Sequence, residues 1–519
     1  MSISDRPAQL VGMSAVEIAQ GVARGDFLAE EVLAAHLEVI ERVNPPINAI
    51  VFPTFEQARQ DAKALDEARR RGEPLGALAG VPMTIKENFD LAGSPSTMGL
   101  RRLSTILATE DGPLVAKLRA AGAVIVGKTN VPQLMLLHET ENPLYGRTNH
   151  PMAPLTRSPG GSSGGEAAII AAKGVPLGLG SDLGGSIRQP AHSCGIAGFK
   201  PTGRRLSIAG STRNLRGMEA ISVQPGPMAR SVGDLTLAMQ VLLGSNDDED
   251  RHHLPPVRWR DPNQVNISSL RIGFWNDDGF FRPSPAIRRA VDEAAEALQR
   301  VGATVEAFNP PNTDQATTLY FSLISADAGA GFRRVLANET PDRRILQLMK
   351  LTRVPRSLRP LISRVASARG NHWLAKMVSA IGQRSTDEYW TLVDERNQYS
   401  ASFLQAMRKQ NLDCLVFPPH ALPAIRHNSL YLAPAASYCF LANLVDLPAG
   451  VVPWTTVRPG EESDRPTSRD RSVLSAIEVE RESAGLPVGV QVAGLPWRDD
   501  LVLATMRALE QMRPDPAKN

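Results

Sequence analysis

The chain has 519 residues, 42% hydrophobic and 21% charged, the balance of a globular protein and not of a disordered or fibrous one. A net charge of +3 over this length argues against a dedicated nucleic-acid binder. Three widely spaced cysteines (Cys194, Cys414, Cys439) fit neither a disulfide framework nor a paired-cysteine metal site. With no basic-then-apolar leader and no apolar run near the ~20 residues of a spanning helix, the expectation is a cytoplasmic protein with buried thiols.

Residues 12–43 read as one helix, opened by an S-x-x-E capping box at Ser14 and Glu17 and stopped by Asn44-Pro45-Pro46. A second, solvent-facing helix is expected over 54–72. Gly80-Val81-Pro82-Met83-Thr84-Ile85 is a short strand running into Lys86, and a helix over 111–121 precedes a strand at Val124–Val126. Helix and short apolar strand alternate to about Leu243, the pattern of an α/β sheet covered by helices. Ser245–Asn263 is polar and proline-containing, a surface connection. Leu270–Trp275 reads as strand, Ser284–Val301 as helix and Thr304–Ala307 as strand. Residues 314–410 are mainly helical and are expected to form a cap.

Between Arg343 and Arg384 the cap has many arginines, two lysines and no acidic residue. A solvated helical face accounts for this run, and contact with a membrane surface is the sharper alternative. Its aromatic residues (Tyr320, Phe321, Phe332, Trp373, Tyr389, Trp390) either line an apolar entrance or pack the cap. Strands follow at Cys414–Phe417, Asp446–Pro453 and Leu486–Val492, with an exposed loop at Arg458–Arg471 and a closing helix at Asp499–Met512. The result is one domain over 1–519. Its core is 12–243, 264–313 and 411–512, and its variable helical cap is 314–410.

Three motif matches carry chemistry. Gly122-Ala-Val-Ile-Val-Gly127-Lys128-Thr129 fits the phosphate-loop pattern GxxxxGK[ST]. Its intervening residues are strand formers, and a strand cannot also be the cradle, so a nucleotide-hydrolysing protein is disfavoured. Gly160-Gly161-Ser162-Ser163-Gly164-Gly165 contains GxSxG, but Pro159 and Gly160 forbid the strand that a nucleophile elbow needs. The histidines available as a base (His192, His420, His427) have structural roles as their ordinary fate. The third match is a constellation: Lys86 after an apolar strand, and two glycine-flanked serines, Ser162 and Ser186, 24 positions apart. Glycines there free the backbone and leave N–H groups uncovered, which suits a nucleophile loop and a supporting loop.

The segments GVPMTIKENFD, GAVIVGKTNVPQ, NPLYGRTNHP, SPGGSSGGEAA, GLGSDLGGSIRQPA, GFKPT, VQPGPMARSVGDL and GLPVGVQVAG occur in this order. Together they resemble the amidase signature family of serine hydrolases, over roughly residues 12–510. The segment VPQLMLLHETENPLYG is nearer the family's fatty-acid-amide branch than its amidotransferase A-subunit branch. The resemblance implies a single α/β domain with a central twisted mixed sheet, helices on both faces and a helical cap insertion. It implies Ser186 as nucleophile, Ser162 as bridging serine after a cis peptide bond, and Lys86 as base. A serine hydroxyl needs its proton removed before attack. A lysine does this only when neutral, which desolvation at the end of an apolar strand favours.

The same resemblance implies oxyanion donors among Leu183, Gly184, Gly185 and Ser186. It implies supporting roles for Ser163, Asp182 and Arg188, where an ordinary salt bridge is the plain alternative for the last two. Met135 is implied as a substrate contact, with core packing as its alternative. The expected activity is hydrolysis of apolar or aryl amides, with esters and carbamates (urethanes) open, and no metal or cofactor. The partner expected is a small-molecule substrate and not a nucleic acid. The competing readings are a non-catalytic binding protein of the same fold and an amidotransferase component of the A type.

Overall fold

Short, mostly apolar runs form the strands of the main sheet, and a polar two-stranded hairpin stands apart from it. In chain order these are β1 (Ile50–Pro53), β2 (Pro82–Lys86), β3 (Val124–Thr129), the hairpin β4 (Glu141–Asn142) and β5 (Gly146–Arg147), β6 (Leu177–Asp182), β7 (Ala197–Lys200) and β8 (Gln224–Ala229). The second half adds β9 (Arg271–Phe274), β10 (Thr304–Ala307), β11 (Cys414–Phe417), β12 (Ala449–Thr456) and β13 (Pro487–Gly494). The computed structural model describes residues 6–514 except 213, 214, 216, 244–253 and 256. Much of the connection expected over Ser245–Asn263 therefore lies outside the described residues.

Among the described residues eleven strands join one sheet in the order β1-β3-β2-β6-β8-β7-β12-β13-β11-β9-β10. β2 runs parallel to β3 and β6, whereas β12 and β13 pair antiparallel, so the sheet is mixed. β2, β6 and β13 are buried along their whole length, as strands covered on both faces must be. The helix Pro285–Arg300 turns a stripe that includes Ile287, Ala290, Val291, Ala294 and Leu298 onto β13. The helix Asp499–Met512 packs on β12 and β13. All three cysteines are free and buried.

The helix expected over 12–43 is two helices, Ala15–Arg24 and Ala29–Ile47. Ser14 and Glu17 do form the capping box. Gly25 then turns left-handed at φ 82° with its N–H on Gly21 and Val22, a glycine stop that apolar periodicity does not reveal. Asn44-Pro45-Pro46 does not end the second helix, which runs to Ile47. The Asn44 carbonyl accepts from the Asn48 N–H at 2.7 Å, and its side chain accepts from Ala49 and Ile50. The missing proline N–H groups thus fall where the helix is already closing.

The phosphate-loop match is a helix stop followed by a strand. Gly122 lies at φ 88° after the helix Pro113–Ala120, and Val124–Thr129 is β3. Lys128 is buried and donates to the Pro95 carbonyl and to Ser96 Oγ.

Residues 313–409 carry the helices Thr313–Ile324, Ala330–Leu336, Arg343–Thr352, Arg359–Ala368, His372–Ala380 and Thr386–Lys409. The acidic partners of the arginine-rich run come from outside it. Arg344 is buried against Glu139 at 2.7 Å and Asp342 at 2.8 Å, and Lys376 meets Asp314 at 2.8 Å. Leu358, Leu361 and Val365 stay exposed on this segment. Among the described residues no helix is long and apolar enough to cross a membrane.

Candidate active site

Because β2 and β6 are parallel neighbours, their carboxyl ends lie on one edge of the sheet, where α/β sheets place their ligands. Lys86 ends β2, and Ser181 and Asp182 end β6. Lys86 is fully buried, with Nζ 2.8 Å from Ser162 Oγ, 3.0 Å from Ser181 Oγ and 3.1 Å from the Ser181 carbonyl. Burial pushes its pKa down to about 7, against the charges of Asp182, Glu166 and Glu87.

Ser162 sits in a loop before the helix Gly164–Ala171 and follows a cis peptide bond from Gly161. No strand precedes it, so the elbow geometry is absent. That helix is buried almost all round, and glycines on β6 let it come close. A Cβ at Gly178 would stand 2.0 Å from Glu166 Oε2, and one at Gly180, on the same strand face, 3.1 Å from Ser163 Oγ. Glu166 accepts from Thr84 at 2.5 Å and Thr129 at 2.8 Å. Burial lifts its pKa to about 8, against those two bonds and the Lys86 charge.

Ser186 lies between β6 and the helix Arg188–Cys194. The Ser163 N–H donates to the Ser186 carbonyl at 3.1 Å and its hydroxyl to the Ser181 carbonyl at 3.3 Å, so Ser163 ties the two serine loops together. Asp182 accepts from the N–H groups of Gly185 and Ile187 at 2.8 and 3.1 Å and from two Arg188 nitrogens at 3.0 Å. Arg188 reaches on to Asn443, Gln491 and the Cys439 carbonyl. Burial alone would raise the Asp182 carboxyl, but the Arg188 guanidinium holds it below the usual carboxylate range.

Four N–H groups were expected to be open in this loop, and that of Gly185 is not, because Asp182 holds it. Among the described residues no hydrogen bond engages the N–H groups of Leu183, Gly184 and Ser186. Glycine leaves room for close neighbours at 184 and 185. A Cβ would meet Tyr320 Oη at 2.2 Å in the first case and Cys439 at 2.5 Å in the second, where φ is 100°.

A cavity of about 650 Å³ reaches Ser186, Leu183, Gly184 and Met135. Tyr320, Phe321, Phe332 and Trp373 line it, whereas Tyr389 and Trp390 do not, and Trp390 is exposed. The histidines serve the backbone. His192 accepts from the Gly489 N–H and faces the Leu422 carbonyl, His420 accepts from the Leu422 N–H, and His427 lies beside Glu139. Sequence reasoning missed Ser181, Glu166 and His138, and named Tyr320 only among the cap aromatics that line an entrance or pack the cap. The first two stand inside the glycine-serine block and were legible as its polar residues. His138 stands in the segment VPQLMLLHETENPLYG, and nothing local to it or to Tyr320 marks either as a donor to a loop carbonyl.

The amidase family pattern matches residues 31–503. The chain belongs to the amidase family. Fatty-acid amide hydrolase 1 of Sus scrofa is 35% identical over 520 aligned residues, covering 97% of this chain and 86% of the relative. The glutamyl-tRNA(Gln) amidotransferase A subunit of Moorella thermoacetica is 30% identical over 514, covering 97% of each. A solved fatty acid amide hydrolase superposes with a TM-score of 0.85 at 26% identity, over 98% of this chain and 86% of that one. This amidase is an amide-hydrolysing enzyme whose large mixed sheet is the fold of that family.

Proposed function

We propose that this amidase cleaves apolar and aryl amides, and with them esters and carbamates, through an acyl-enzyme on Ser186. The observation that carries the reading is Lys86, a buried amine 2.8 Å from Ser162 Oγ with its pKa drawn down to about 7. Neutral Lys86 accepts the Ser162 proton while Ser162 accepts that of Ser186, and Ser186 Oγ attacks the carbonyl carbon. The open N–H groups of Leu183, Gly184 and Ser186 stabilise the oxyanion, each worth about 3 kcal/mol if lost. As the C–N bond breaks, the proton on Lys86 returns through Ser162 to the leaving nitrogen, which could not depart as an amine anion. Water then attacks the acyl-enzyme by the same relay and releases the acid. A carbamate would leave a carbamoyl or alkoxycarbonyl group on Ser186, and its hydrolysis would release CO₂.

Ser163, Asp182 and Arg188 hold the loops in place, Met135 contacts the substrate, and 314–410 is a cap over the cavity. The aromatic lining from Phe321, Phe332 and Trp373 supports an apolar substrate over glutamine. Likeness to fatty-acid amide hydrolases supports the same choice. One panel of aryl amides, fatty amides, esters, carbamates and glutamine tests it. Turnover of the apolar amides with little on glutamine is expected, and a preference for glutamine would reject it.

A further inference from the structure

Every carbonyl from Asp182 to Ser186 has a partner. Asn443 Nδ2 donates to that of Asp182 at 3.5 Å, Tyr320 Oη to Leu183 at 3.4 Å and His138 Nε2 to Gly184 at 3.0 Å. The Gln189 N–H donates to Gly185 at 2.7 Å and the Ser163 N–H to Ser186 at 3.1 Å. A trans peptide points its C=O and the following N–H in opposite directions. Each pinned carbonyl therefore aims the next N–H.

The peptide between Gly184 and Gly185 resists flipping least, because neither flank has a Cβ. It is held at both ends. Asp182 takes the Gly185 N–H at 2.8 Å, and His138 takes the Gly184 carbonyl. His138 comes from the segment between Met135 and β4, outside the glycine-serine block, and borders the same cavity as Ser186. Its Cε1 lies 3.7 Å from where a Gly185 Cβ would stand, and its ring packs near Phe440 and His420. A carbonyl only accepts, so the bond fixes the tautomer that carries its proton on Nε2. Burial pushes the ring pKa down to about 4, against the Gly184 bond, and the imidazole is neutral at physiological pH.

We propose that His138 is a positioning residue, whose Nε2–H clamps the Gly184 carbonyl so that the Gly184–Gly185 peptide cannot flip and carry the flanking N–H groups of Gly184 and Ser186 off the oxyanion. The inference rests on Ser186 being the nucleophile. Its test compares wild type with His138→Gln, which keeps an N–H donor, and His138→Met, which matches glutamine in length and lacks one. His138→Ala is a second donor-less variant; the ring borders the cavity, so truncation enlarges existing space.

The substrate is octanoyl p-nitroanilide and the inhibitor an octyl trifluoromethyl ketone, which forms a hemiketal oxyanion on the nucleophile. Both donor-less variants should lose roughly ten- to a hundredfold in kcat with KM within about threefold of wild type. Inhibitor affinity should fall by the same factor, and His138→Gln should recover most of both. Unchanged kcat in His138→Met, a rise in KM alone, or a glutamine variant no better than methionine would overturn the inference. So would failure of both donor-less chains to fold while the glutamine variant folds, which would make the contact one of folding only. Ser186→Ala is the control. If it keeps amide turnover, the reading of the site falls; if turnover needs Ser186 and His138→Met is unimpaired, the inference falls alone.

Discussion

Lys86 is where burial and chemistry meet. Among the described residues its amine has no acidic partner within hydrogen-bond distance, only the hydroxyls of Ser162 and Ser181 and one carbonyl. Desolvation therefore prevails over the opposing charges of Asp182, Glu166 and Glu87. The acid limb of kcat/KM should accordingly have its midpoint near 7, and Glu166→Gln should move that limb to lower pH. A limb unmoved by the substitution would separate Glu166 from Lys86.

The same group sets a stability window. Below about pH 7 Lys86 is charged in both states, and between about 7 and its ordinary 10.5 only the unfolded chain keeps the proton. The unfolded state then binds more protons, so this group's contribution to native stability rises with pH across that window. Lys86→Met should abolish turnover yet stabilise the fold by on the order of 1 kcal/mol at neutral pH, read by thermal melting. A destabilised variant would mean that the lost bonds to Ser162 and Ser181 outweigh relief of desolvation. For the relay, Ser186→Ala should abolish all turnover, whereas Ser162→Ala should keep slow ester cleavage and almost no amide cleavage. Equal losses on both substrates would count against proton return through Ser162.

Among the elements, glycines decide what approaches what. Gly184→Ala places a methyl group 2.2 Å from Tyr320 Oη, so it should cost about 1–3 kcal/mol in stability and most of the activity. A fully active, stable Gly184→Ala enzyme would show that Tyr320 yields freely. The helix Arg343–Thr352 is tied to the core through buried Arg344 and Glu139. Arg344→Ala leaves that carboxylate buried without its cation and should destabilise by about 3–5 kcal/mol. It should also lower kcat/KM for bulky apolar amides more than for a small ester. Equal effects on both substrates would mean that the segment does not shape access.

Most strands were legible because short apolar runs between glycines and prolines have little alternative. The split at Gly25 and the helix running through Pro45 and Pro46 were not. A left-handed glycine and the side-chain bonds of Asn44 are decided by local closure, which periodicity does not report.

At the scale of the molecule, parallel β2 and β6 put Lys86 and Ser181 at one sheet edge, one glycine-rich loop brings Ser162 to Lys86, and the Ser163 N–H ties the Ser186 loop to it. The candidates Lys86, Ser162, Ser163, Asp182 and Arg188 all stand in contiguous motifs. Residues that complete the site from afar, such as Asn443 and Gln491 on Arg188 or Tyr320 and His138 on the loop carbonyls, become neighbours only through the fold. The exposed Leu358, Leu361 and Val365 lie on the segment that has many arginines and no acidic residue of its own. If that face is merely solvated, co-sedimentation with anionic vesicles should stay at background, and salt-sensitive binding would place it on a membrane surface instead.

The most direct measurement is the pH dependence of fluorophosphonate labelling, located by peptide mass spectrometry. One adduct on Ser186 is predicted, formed at a rate that climbs through a midpoint near pH 7 and collapses in Lys86→Ala. An adduct on another residue, or a rate indifferent to pH and to loss of the lysine, would contradict the account.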